Sequence, residues 1–152
     1  MINYSASAVA KWFLAYNRYT MNDTDADTIS NLKLQKLLYY AQGVFLAVRG
    51  GTPLFYEPIV AWAHGPVVEA VYHEYKGYGS NGIDFDEDFD FSLFSQVDHN
   101  LLIEVYNNFA QYSAWKLRNM THEERPWKET PQNWEITKPL IQEFFLQEYV
   151  SQ

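Results

Sequence analysis

The residues of this chain with the most chemical potential are four histidines, at 64, 73, 99 and 122, and the carboxylates near them. An imidazole beside a carboxylate can relay a proton or hold a metal ion. His122 is followed directly by Glu123 and Glu124, and His64 stands just before Gly65 and Pro66. Their spacing fits neither role locally: there is no HExxH pair, no GxSxG nucleophile and no GxxxxGK[ST] phosphate loop. An enzyme would have to bring His64, His122 and a carboxylate such as Glu123 together from distant segments. His73 follows Glu69 by four residues and precedes Lys76 by three, which describes a solvated helix face. Asp84, Asp86 and Asp88 open with the spacing of a calcium loop, but Phe89 takes the glycine position and Ser95 the bidentate glutamate position. The chain therefore reads as a non-enzyme without metal or cofactor.

Composition narrows the remaining classes. The chain has 152 residues, enough for one domain with its own core, and 47% of them are hydrophobic. Twelve Tyr, ten Phe and five Trp supply large buried rings, and any left at the surface suit a protein interface. A net charge of −8 argues against a phosphate backbone as direct partner. Without cysteine there is neither a disulfide nor a thiolate zinc site. No basic leader or apolar run of spanning length is present. A soluble, unexported, cytoplasmic protein is the expectation.

Helices must position most of these groups. Ser5 caps a first one carrying Ala8, Val9, Trp12, Phe13 and Tyr16 on one stripe and ending near Tyr19. Met21 to Asn31 reads as an exposed connection, with Asn31 capping a second helix. Leu34, Leu37, Leu38, Ala41, Val44, Phe45 and Val48 form that helix's inner stripe, and Gly50–Gly51 stops it. Thr52 to Ala63 is proline-rich and aromatic, so it reads as a short strand or extended crossing. A third helix is expected to start at Pro66, in its first position, and to run to Gly77 with Val67, Val68, Val71, Tyr72 and Tyr75 inward.

Ile83 to Ser92 alternates acids with phenylalanines. It reads as a solvated loop pinned by Phe85, Phe89 and Phe91, or more weakly as a strip for a basic partner. A fourth helix follows from about Asp98 to Gln111, then a short one opened by Ser113. Thr121 and Glu124 have capping-box spacing, and Thr137 caps a last helix with Pro139 in its first turn. The fold class is mainly α: one compact domain over 1–152, about six helices, with a minor β element around 52–62.

Two positions stand out for binding. Lys33, Lys36 and Tyr40 share a face of the second helix; Lys33 reads as solvated, while Lys36 with Tyr40 divides evenly between solvated face and partner contact. His64, before the expected start of the third helix, would lie where free N–H groups attract a partner's carboxylate. Local packing is the stronger reading for a single histidine.

Three blocks, KLQKLLYYAQG, then PLF with EPIVAWAHGPVVEAVY, then YSAWKLRNMTHEERPW, together resemble the Panacea antitoxin domain family, described as SocA-like and found in phage-associated proteins. They keep the family's order and spacing within 30–128. The resemblance implies an antitoxin that neutralises a co-encoded toxin by direct protein binding, with no direct nucleic acid or membrane partner. Carried over by position, it points to Lys36, Tyr40, His64, Gly65, Pro66, Tyr72, His122 and Trp127. Pro66 and Trp127 look like scaffold; Lys36, Tyr40 and His64 are the expected contacts. The alternative is a phage-associated adaptor that binds a host protein or delivers a client to a protease.

Overall fold

The computed structural model describes residues 4–21 and 28–150. Seven α-helices and a three-stranded sheet are present among them: α1 (Ala6–Met21), α2 (Asn31–Val48), β1 (Ile59–Trp62), β2 (Gly65–Val67), α3 (Glu69–Tyr75), α4 (Gln96–Phe109), α5 (Ala114–His122), α6 (Arg125–Lys128), β3 (Glu135–Ile136) and α7 (Lys138–Glu148). The mainly α expectation holds, with a small β element larger than expected. Most of the connection from Met21 to Asn31 lies outside the described residues.

The organising element is α2, which packs against α1, α4, α5 and α7 and is buried almost along its whole length. Its expected stripe is inward, with Leu34, Leu37, Leu38, Ala41 and Phe45 fully buried, while Val44 is half-buried and Val48 exposed. Around it Trp12, Phe13, Phe55 and Phe145 are also fully buried, each such side chain contributing about 2–3 kcal/mol of transfer free energy. Helix α7 crosses α2 at Gly43, where an added Cβ would strike the Phe145 ring.

Serine capping operates as expected at Ser5, whose hydroxyl accepts from the Ala8 N–H, and at Ser113, which accepts from that of Lys116. At α2 the cap is Ser30, one residue before the expected Asn31. Asn31 instead turns inward and donates from Nδ2 to the Tyr72 carbonyl at 3.0 Å.

The third helix differs most from expectation. Gly65–Pro66–Val67 is not a helix start but strand β2, joined to β1 by the two-residue turn Ala63–His64. Helix α3 begins only at Glu69. Strand order is β2-β1-β3, with Ala61 opposite Pro66 and Trp62 opposite Gly65. Proline is tolerated because β2 is an edge strand that has no ladder bond to lose at that position. His64 consequently sits on a hairpin tip and not at a helix amino terminus.

The acidic segment is pinned as its phenylalanines require: Phe85 and Phe94 are buried, Phe89 and Phe91 half-buried, and the Asp84, Asp86, Glu87, Asp88 and Asp90 carboxylates exposed. Arg18 donates to the Phe85 carbonyl at 3.0 Å. His99 is structural, accepting from the Trp12 indole at 2.9 Å.

Candidate functional site

The site grows from the polar residues of α2, all turned toward the hairpin and its flanks. Lys36, fully buried, donates from Nζ to the Pro66 carbonyl at 2.9 Å. Gln35 accepts the Val68 N–H at Oε1 at 2.9 Å, and its Nε2 donates to Asn31 Oδ1 at 2.9 Å. These side chains thus satisfy the outer edge of β2, which would otherwise be open to another strand. Two helical turns further, Gln42 accepts the Leu54 N–H at 2.8 Å and donates to the Phe55 carbonyl at 2.7 Å, fixing the approach to β1.

Gly65 is required where it lies. Its φ is 111°, and a Cβ there would come within 2.8 Å of Lys36 Cε and 2.9 Å of Thr121 Oγ1. The close approach of β2 to α2 and α5 is what permits the lysine to reach Pro66. Burial, with the charge of Arg118 adding to it, pulls the Lys36 ammonium down to about 7.

From the other side α5 and α6 hold the hairpin. The His122 ring nitrogens lie 2.7 Å from the Arg118 carbonyl oxygen and 2.9 Å from that of Ala63. Trp127 donates its indole N–H to the Trp62 carbonyl at 2.8 Å and packs on His122 with ring centroids 4.0 Å apart. Tyr72, on α3, packs edge-on against Trp62 at 4.9 Å. His64 accepts at Nδ1 from Arg118 Nε at 3.2 Å, and the Arg118 guanidinium lies 4.4 Å over the Trp115 ring.

Seven of the eight sequence-selected residues therefore meet on one hairpin: Lys36, His64, Gly65, Pro66, Tyr72, His122 and Trp127. Tyr40 lies elsewhere, in a carboxylate cluster the sequence did not suggest. Buried Glu124 accepts from Tyr39 at Oε1 and from Tyr40 at Oε2, both at 3.0 Å, and also from Tyr149. Burial raises the Glu124 carboxyl above its ordinary value despite these three bonds, and it raises all three phenols as well.

Two expectations are corrected by this geometry. Lys36 and Tyr40, expected as partner contacts, are both fully covered by the fold, because the segments they bind close over them. Glu124 forms no capping box with Thr121; Thr121 is inside α5 and donates to the Arg118 carbonyl at 2.8 Å. His64 and His122 are each bound elsewhere and not to one another: Arg118 donates to the first, and both nitrogens of the second face backbone carbonyls. Among the described residues no three His, Asp or Glu side chains are placed to share a metal ion.

What the hairpin presents outward is aromatic and polar. His64 and Trp115 are exposed, Trp62, Tyr72, Arg118 and Trp127 half-buried. Between α2, the hairpin and α3 opens a cleft of about 500 Å³ whose walls include Trp62, His64, Tyr72 and Lys76. Sequence reasoning missed Gln35, Gln42, Trp62 and Arg118. The signal for the glutamines was present: Asn31, Gln35, Leu38, Gln42 and Phe45 recur at three or four residues, so polar groups share the buried stripe.

Residues 34–128 match the antitoxin SocA-like Panacea domain. A curated relative is the antitoxin SocA of Caulobacter vibrioides, 51% identical over 51 residues that make up 34% of this chain and 27% of the relative. The match thus spans about a quarter of that protein's length. No solved structure matches the chain. No helix among the described residues is long and apolar enough to cross a membrane.

Proposed function

This chain belongs to the SocA-like Panacea antitoxin family, and from that premise we propose that it neutralises a co-encoded toxin by covering the toxin's working surface with the face around the β1–β2 hairpin. The observation that carries this reading is the convergence of the family-like positions on one hairpin. Lys36, Gly65 and Pro66 hold its inner side, and His64, Tyr72 and the neighbouring Trp115 and Arg118 stand on its accessible side.

Such a face suits binding. Aromatic side chains and arginine are the commonest anchors of protein interfaces, and here each has its orientation fixed before the partner arrives. The hairpin cannot shift freely, because Lys36, His122 and Trp127 hold its backbone from two sides. Preorganisation of this kind lowers the ordering cost of association. The net charge of −8 favours encounter with a basic toxin over long range.

Expression of each adjacent reading frame from an inducible promoter, with this protein supplied separately, tests the reading. Growth arrest that the protein relieves is the expected result. Absence of toxicity from both neighbours would move the assignment to a phage-associated adaptor.

A further inference from the structure

The cleft beside the hairpin has a chemistry unlike the rest of the molecule. The chain carries 19 Asp and Glu, yet among the described residues no Asp or Glu lines this cleft. Its rim bears Lys76, which is exposed and whose ammonium has no partner among the described residues, and His64. Arg118 donates to His64 Nδ1, which leaves Nε2–H as the donor of that ring. Ser80, Gln132 and Asn133 add further donors, and Trp62 with Tyr72 forms an apolar wall beside them. A donor-rich rim, without a carboxylate among the described residues, next to an aromatic wall is complementary to a carboxylate borne next to an apolar group.

We propose that this cleft takes the carboxyl-terminal residue of a partner chain, an aromatic or large aliphatic residue with its free carboxylate at the Lys76–His64 rim. At a chain terminus the carboxylate and the side chain leave the same carbon, which matches a rim and a wall that share neighbouring residues. An aspartate side chain would satisfy the rim and leave the Trp62–Tyr72 wall uncovered. Strand addition is not the mode, because Lys36 and Gln35 occupy the outer edge of β2. The proposal rests on the toxin reading only for who supplies the terminus.

The experiment titrates N-acetyl-phenylalanine, its amide and N-acetyl-aspartate α-amide into the isotope-labelled full chain, followed by amide and indole chemical shifts. The expected result is saturable shifts at Trp62, His64, Tyr72 and Gly79 with N-acetyl-phenylalanine, at least ten-fold weaker binding of its amide and of the aspartate probe, and at least ten-fold loss in Lys76→Glu. Equal binding of acid and amide, shifts confined to another face, or undiminished binding by the Lys76→Glu protein would overturn the proposal. Preferential binding of the aspartate probe would overturn the choice of a chain terminus. The titration contains no toxin, so its failure counts against the cleft alone, and failure of growth rescue counts against the antitoxin reading alone.

Discussion

Lys36 Nζ donates to the carbonyl of Pro66 from a fully buried position, 2.9 Å away and thirty residues back in the sequence. That bond joins the central helix to the one strand edge that a proline leaves without a donor of its own. Both residues belong to the blocks by which the chain resembles its family, and their role in the molecule is to set the hairpin in place.

Stability should therefore depend on pH through this lysine. Its folded value is about 7, and in the unfolded chain a lysine titrates near ~10.4. Between these the unfolded state binds more protons, so stability rises with pH by at most about 1.4 kcal/mol per unit, and it is lost as pH falls through the folded value. Denaturant titrations at pH 7, 8 and 9 check this. Lys36→Met should flatten that slope.

The Glu124 cluster gives the opposite sign. Its carboxyl is raised by burial, so its contribution is fully present below the unfolded carboxylate range and declines as pH rises through the folded value. Glu124→Gln should abolish this dependence. Glu124→Leu should lower stability by about 3 kcal/mol or more, since it leaves the buried Tyr39 and Tyr40 hydroxyls unpaired. Melting curves of the two variants between pH 4 and 8 separate the effects.

Gly65→Ala should cost roughly 1–3 kcal/mol, from backbone strain at its positive φ alone. Contact with Lys36 Cε and Thr121 Oγ1 adds to that cost. Because the lysine must then withdraw from Pro66, the pH slope assigned to Lys36 should shrink in this variant too, which equilibrium unfolding at two pH values would reveal.

Asp98 joins three segments: it pairs with Arg49 at the end of α2, accepts from Tyr4 Oη at 2.7 Å and lies in the first turn of α4. Burial alone would raise its carboxyl, but the bonds from Arg49, Tyr4 and Ser95 outweigh this and hold it below the ordinary value. Asp98→Asn should destabilise by about 3 kcal/mol, because a buried guanidinium loses its counterion. The loss should narrow as pH falls through the folded value of the wild-type carboxyl, measured by chemical denaturation.

The helices were legible in the sequence wherever apolar residues recur every three or four positions. α1, α2, α4 and α7 show this, with Ser5 marking the start of α1 and Ser113 that of α5. The hairpin was not legible, because proline suits both a first helical turn and an edge strand. What decides between them at Pro66 is a lysine thirty residues earlier that captures its carbonyl, and no local pattern reports that. Glu124 misled for the same reason. Its spacing from Thr121 is that of a capping box, while the three hydroxyls that claim it come from α2 and from beyond the end of α7. At the site, the burial of Lys36 and Tyr40 was not legible, since both are long polar side chains whose partners close over them.

The most direct test is the affinity of the purified chain for the product of an adjacent reading frame that arrests growth, measured by isothermal titration for the wild type, for His64→Ala with Trp115→Ala, and for Val97→Ala on α4. The hairpin variant should bind at least ten-fold more weakly at an unchanged melting temperature, and Val97→Ala should match the wild type. Equal affinity of the hairpin variant, or weakening by Val97→Ala alone, would contradict the account.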